Sequence, residues 1–168
     1  MVRRQAHVLL SIVAAASLLA GCASGTSYVK PGAPWTAIKR VGVFTFTTPY
    51  EDQVRRQWAT QLFIKELQRL NRFEVVELPA PAPAADEPNW QVVAQRGQVD
   101  AFLKGTVEDL TELFVDLQLI DTATGETLWS TRYHRGSGPD LSFRYQTSQQ
   151  QLQRIFKILV RRLTRVSR

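Results

Sequence analysis

Residues 38–46 (IKRVGVFTF) place β-branched and aromatic side chains in close succession, the pattern of a largely buried strand. From there to Leu70 the period changes to that of a helix. Ala59, Phe63, Leu67 and Leu70 form one apolar row, and Val54, Trp58 and Leu62 form a second. Gln53, Gln57, Gln61 and Gln68 share the remaining side. A helix that only covers a sheet needs a single stripe, so the second row is expected to meet another helix of the domain or a neighbouring subunit. The start is predicted from Thr48 as N-cap, Pro49 at the first helical position and Glu51 closing a capping box. Asn71 is the expected left-handed stop.

Residues 72–78 (RFEVVEL) read as a second strand, and 79–88 (PAPAPAADEP) as a stiff connector with little core potential. A short helix over 88–96 carries Trp90, Val93 and Ala94 and is ended by Gly97. Three strands follow at 100–109, 113–121 and 126–134. The middle one alternates Val115, Leu117 and Leu119 against Asp116 and Gln118, as a strand with one buried face does. The turn at 121–125 is tight, with Gly125 free to take positive φ, and the three strands form an antiparallel meander. After a loop at 136–140, a last helix is expected from Ser148, with Gln151 completing its cap. Leu152, Ile155, Phe156, Leu159, Leu163 and Val166 line one side; Arg154, Lys157, Arg161, Arg165 and Arg168 lie almost opposite. The predicted fold is α+β, in the order β-α-β-α-β-β-β-α: a mixed five-stranded sheet ending in the meander and packed by about three helices.

The N-terminal stretch has a different character. Arg3 and Arg4 precede an apolar run over 8–19, which ends in Leu19-Ala20-Gly21-Cys22. A basic start, a short apolar core and small residues before a cut are the parts of a secretory signal peptide, and a bilayer span would need about 20 apolar residues. The Leu-Ala-Gly-Cys ending resembles the bacterial lipobox. That resemblance implies cleavage before Cys22, a diacylglyceryl thioether on its sulfur and acylation of the new terminus. Residues 1–21 are thus expected to be removed, 22–34 to be a lipidated, flexible tether rich in Gly, Ser and Pro, and 35–168 to form a single periplasmic domain. Ala23 after the cysteine fits export to the outer membrane.

Composition narrows the chemistry. Cys22 is the only cysteine, and with His7 lost among the first residues His134 is the single remaining histidine. Thiolate sites, His-rich zinc sites and triads with a choice of base are thereby excluded. His134 could serve as a general base only if a nucleophile and an orienting carboxylate approached it, and a surface or strand-end histidine is the plainer reading. Glu108, Asp109 and Glu112 could pair for sugar chemistry, but acids around a hairpin turn are usually just solvated. Gly136-Ser137-Gly138 lacks the Gly-x-Ser-x-Gly spacing of a nucleophile elbow. No catalytic residue, metal ligand or cofactor is therefore assigned.

The formal charge of +6 is unevenly spread. Acids without bases fill 106–130, and bases without acids fill 141–168. The basic run reads either as a solvated face or as a contact with anionic lipid, polysaccharide or an acidic neighbour. The expected interaction surface is Trp58 with Arg154, Lys157, Arg161, Arg165 and Arg168. Nucleic acid is not an expected partner, because the periplasm holds essentially none.

Several pieces together carry a resemblance: Arg40-Val-Gly-Val-Phe-Thr-Phe46, the helix ending in Leu67-Gln-Arg-Leu-Asn-Arg-Phe-Glu-Val-Val-Glu77, Gly97-Gln-Val-Asp-Ala-Phe-Leu-Lys-Gly-Thr-Val107, and Val115-Asp-Leu-Gln-Leu-Ile-Asp-Thr-Ala-Thr-Gly-Glu-Thr-Leu-Trp-Ser130. In this order they resemble the superfamily of the TolB N-terminal domain, the curli lipoprotein CsgG, the penicillin-binding-protein activator LpoB and the polysaccharide-export lipoprotein PelC. The resemblance implies a non-catalytic lipoprotein of a cell-envelope machine, partnered by envelope proteins and by copies of itself. The chain lacks the extra length from which CsgG builds membrane hairpins, so it is not expected to form a pore of its own. The first long helix with Trp58 also resembles auxiliary lipoproteins of lipid-trafficking transporters, which implies the alternative of a lipid- or glycan-binding carrier.

Overall fold

The computed structural model describes residues 23–48, 52–79, 89–108, 113–135 and 145–167. Cys22 and the stretch before it, Pro49, Glu51, the connector over 80–88, Asp109, Glu112, the loop over 136–144 and Arg168 lie outside the described residues.

The elements are β1 (Ala23–Val29), β2 (Arg40–Phe44), α1 (Gln53–Gln68), β3 (Glu74–Leu78), α2 (Trp90–Arg96), β4 (Ala101–Glu108), β5 (Leu113–Asp121), β6 (Thr127–Arg135) and α3 (Tyr145–Val166). The six strands form one sheet in the order β1-β6-β5-β4-β2-β3. β2 runs parallel to both β3 and β4, and the remaining pairs are antiparallel. The α+β class and the meander of β4, β5 and β6 agree with expectation.

The strand count does not. Residues 23–29, read as part of a flexible tether, pair with β6 from Ala23↔Arg135 to Val29↔Trp129, so the sheet has six strands instead of five. β1 escapes a periodicity reading because Gly25 to Tyr28 are all exposed and no face is apolar. It is held by its backbone ladder and by the 2.9 Å hydrogen bond between the Ser27 and Thr131 hydroxyls. Its pairing also covers what would otherwise be a bare edge on β6.

α1 starts later than predicted. Its N-cap is Asp52, whose Oδ1 accepts from the Arg55 amide at 3.0 Å. Just before Thr48 the chain is still tied into the sheet: the Thr47 amide donates to the Gly105 carbonyl, and the Thr47 carbonyl accepts from the Val107 amide, both at 2.9 Å. The Thr48 hydroxyl accepts from Arg56 Nε instead, at 3.3 Å. At the far end Asn71 takes φ 51°, the expected left-handed stop. α3 begins at Tyr145, ahead of the predicted Ser148.

Both long helices pack on one face of the sheet. Val41, Val43, Ala101, Leu103, Val115, Leu117, Leu119 and Trp129 meet Phe63 and Leu67 of α1 and Leu152, Phe156 and Leu159 of α3 in a single cluster. Phe63 stands edge-on between Phe46 and Phe156, with ring centroids 5.5 and 5.1 Å away. Trp58 and Leu62, from the second apolar row, are half-buried against this same core, whereas Val54 is 77% exposed. The sheet's other face has a smaller cluster beneath α2, built on Phe44, Leu78, Ala94, Val99, Phe102 and Ile120.

Candidate functional site

α2 covers only part of that second face, and the rest is open. Lys104 and Thr106 of β4, Asp116 and Gln118 of β5, Ser130 and Arg132 of β6, and Thr26 and Tyr28 of β1 share it, each opposite its neighbour in register. The small side chain at Gly105 lets β5 close up on β4: a Cβ there would stand 2.7 Å from the Asp116 carbonyl oxygen. Across the strands Arg132 donates to Asp116 Oδ2 from Nε at 3.0 Å and Nη2 at 2.7 Å.

Adjoining clefts run along this face as a shallow trough. One of about 250 Å³ lies among Thr45, Thr47, Trp90, Lys104, Thr106 and Gln118. A second, of about 230 Å³, continues it past Asp116 to Tyr28, Ser130 and Arg132. A third, of about 310 Å³, extends it on the other side along Trp90, Phe102, Ile120 and Gln91. Hydroxyls, amides, a lysine and the aromatic rings of Trp90, Tyr28 and Phe102 suit an extended polar ligand. The trough is poorly equipped for acid–base work, because its carboxylate is already occupied by a guanidinium.

The residues singled out from sequence are placed as follows. His134 on β6 and Glu108 on β4 both lie opposite Phe114 of β5, so the phenyl ring's strand separates them. Asp109 and Glu112 lie outside the described residues. Trp58 is half-buried against the core. Arg154, Lys157, Arg161 and Arg165 are exposed on α3, and among the described residues none has a carboxylate within ion-pair distance. Among the described residues there is also no group of three His, Cys, Asp or Glu that could hold a metal ion. The trough itself was not anticipated. Alternation along β5 puts Asp116 and Gln118 on one face, but only the sheet order shows that Arg132, Lys104 and Trp90 surround them.

The Asp121-to-Trp129 stretch proves to be a folding device. Asp121 Oδ1 accepts from the amides of Ala123 at 2.9 Å and Thr124 at 2.8 Å, and Thr124 Oγ1 accepts from the Glu126 amide at 3.2 Å. Gly125 takes φ 73°, as expected. Lys30, just past β1, pairs with Glu126, and Trp129 is buried in the core. Each residue of the pattern shapes or anchors the β5–β6 hairpin.

No protein-family model and no curated protein matches the chain. Solved structures do. A PelC dodecamer from Paraburkholderia phytofirmans is 15% identical, covering 82% of this chain and 95% of that one with a TM-score of 0.59. A substituted PelC dodecamer from the same organism is 18% identical over 82% and 97%, with a TM-score of 0.56. The lipoprotein GNA1162 from Neisseria meningitidis is 17% identical over 71% and 96%, with a TM-score of 0.47. The likeness to PelC is one of fold, and it falls within the superfamily that the sequence resembles.

Proposed function

We propose that the chain is a lipoprotein, matured at Cys22 and held at the outer membrane by acyl chains on that sulfur, with its domain in the periplasm. There it acts without catalysis, as an assembly, scaffold or regulatory part of an envelope machine for secretion, polysaccharide export or cell-wall synthesis. The observation that carries this reading is the fold shared with PelC over 95% of that chain, set directly behind a lipobox-like Leu19-Ala20-Gly21-Cys22. A non-catalytic role is supported by the guanidinium that occupies Asp116. The dodecameric state of the PelC structures supports self-association into a ring. Anchoring confines the domain beside its partners and so raises their effective concentration.

Intact mass and fractionation of the native protein test the anchor. A mass increased by diacylglycerol and a third acyl chain, lost in Cys22→Ala together with membrane association, is expected. An unmodified mass in the soluble periplasmic fraction overturns it. Light scattering of the acyl-free protein is expected to show a large closed oligomer; monomer alone at high concentration and low salt removes the ring.

The trough favours a second reading, a carrier for a glycan, since an aromatic wall beside hydroxyls and amides suits sugar rings and their edges. Glycan retained through purification and detected by native mass spectrometry supports it, with loss in Trp90→Ala.

A further inference from the structure

We infer that the outward face of α3 is a headgroup-binding surface that lays the domain against an anionic bilayer. The inference rests on the reading of Cys22 as the acylated residue. Residues 145–167 contain no carboxylate, while Arg154, Lys157, Arg161, Arg162 and Arg165 are all exposed. Among the described residues none of the five has a carboxylate within ion-pair distance. Arg154, Lys157, Arg161 and Arg165 recur every three or four positions, so like charges stack along one stripe, an arrangement that weakens an isolated helix. The helix dipole accounts for Arg165 in the last turn but not for Arg154 or Lys157, since it fades within one turn.

Two further observations point to the bilayer. Ile158 is 46% exposed in the middle of this stripe, with Arg154, Arg161 and Arg162 three or four residues away. An apolar side chain ringed by cations is what a helix at a membrane interface presents, its stems in the acyl boundary and its charges at the phosphates. The second observation is β1. It begins at Ala23, directly after Cys22, and Gly25 lies beside α3: a Cβ there would be 3.5 Å from Arg162 Nη1. At the rise of a strand, the start of β1 at Ala23 lies about 7 Å along the chain from that meeting point. That distance is on the order of the screening length in physiological salt, so headgroups around the acyl chains lie within the helix's field.

The test uses the chain starting at residue 22 with Cys22→Ser, which contains every described element and no acyl group. It is floated with phosphatidylcholine vesicles that either contain or lack phosphatidylglycerol. Binding to the anionic vesicles alone, weakening as salt rises, is expected. Each cation near such a surface is worth about a fivefold change in partition, so Arg154→Gln, Arg161→Gln and Arg165→Gln together should lower it about a hundredfold. Ile158→Ser should lower it less, with circular dichroism unchanged. Equal binding to neutral vesicles, binding unmoved by salt or by the triple substitution, or a preference for soluble polyglutamate over anionic vesicles overturns the inference; the last outcome would identify an acidic protein as the partner. The two readings fail separately. An unmodified native mass defeats the anchor, whereas an acylated protein whose acyl-free form ignores anionic vesicles defeats only this surface.

Discussion

α1 and α3 pack side by side on the same face of one sheet, yet they distribute polarity in opposite ways. α1 mixes it inward. Alongside Ala59, Phe63, Ile64 and Leu67 it buries Thr60 and Glu66. Glu66 Oε1 accepts from Arg69 Nη1 at 2.5 Å and, across the gap to α3, from Gln153 Nε2 at 3.2 Å. α3 sorts more cleanly: Leu152, Ile155, Phe156, Leu159, Val160 and Leu163 go in, and the cations go out with Ile158 among them. The buried polar groups of α1 answer to neighbours inside the fold, so its sequence shows no clean stripe. The sorted charges of α3 answer to nothing among the described residues, which directs attention to what lies outside them.

The contrast can be broken first at the core the helices share. Phe156 has its ring 5.1 Å from Phe63 and 6.0 Å from Phe46, and is fully buried. Phe156→Ala is expected to lower unfolding stability by about 3–5 kcal/mol in chemical denaturation, with Phe63→Ala matching it. A cost below about 1 kcal/mol for either would mean that the packing between the helices is loose. Next comes the polar interior of α1. Thr60 Oγ1 accepts from the Phe46 amide at 2.9 Å and donates to the Arg56 carbonyl at 2.8 Å. Thr60→Val keeps the volume but strands that amide, and a loss of about 1–3 kcal/mol is expected; an unchanged denaturation midpoint would show that the hydroxyl is dispensable. The smallest effect belongs to the outer face of α3. Arg161→Gln should leave the unfolding free energy within about 0.5 kcal/mol of the parent's in the same denaturation. A larger drop would reveal that the arginine serves the fold.

These differences also explain what the sequence discloses. β5 is legible to the residue, 113–121, because one of its faces is buried and the other open, so its side chains alternate in kind. The α3 stripe is legible for the same reason, at helical period. β1 is not, because a polar edge strand exposed on both faces carries no hydrophobic signal and its partner is remote in the chain. The start of α1 is misplaced because two capping residues stand close together, and Asp52, not Thr48, accepts from an amide of the first turn. The trough depends on β1, β4, β5, β6 and α2 together, a juxtaposition no local pattern encodes. Of the residues read as an interaction surface, the exposed cations of α3 are well placed by helical spacing. Trp58 stands half in the core, as an aromatic in a second apolar row readily does.

β1 also constrains the order in which the sheet can assemble. Ser27 and Thr131, which hydrogen-bond across the sheet, are 104 residues apart in the chain. The loop between them is long, and closing it gains little until the hairpin of β5 and β6 exists to receive the strand. Although it comes first in the chain, this segment must wait for β6 before it can dock. Among the described strands, the first in the chain is thus the last able to pair.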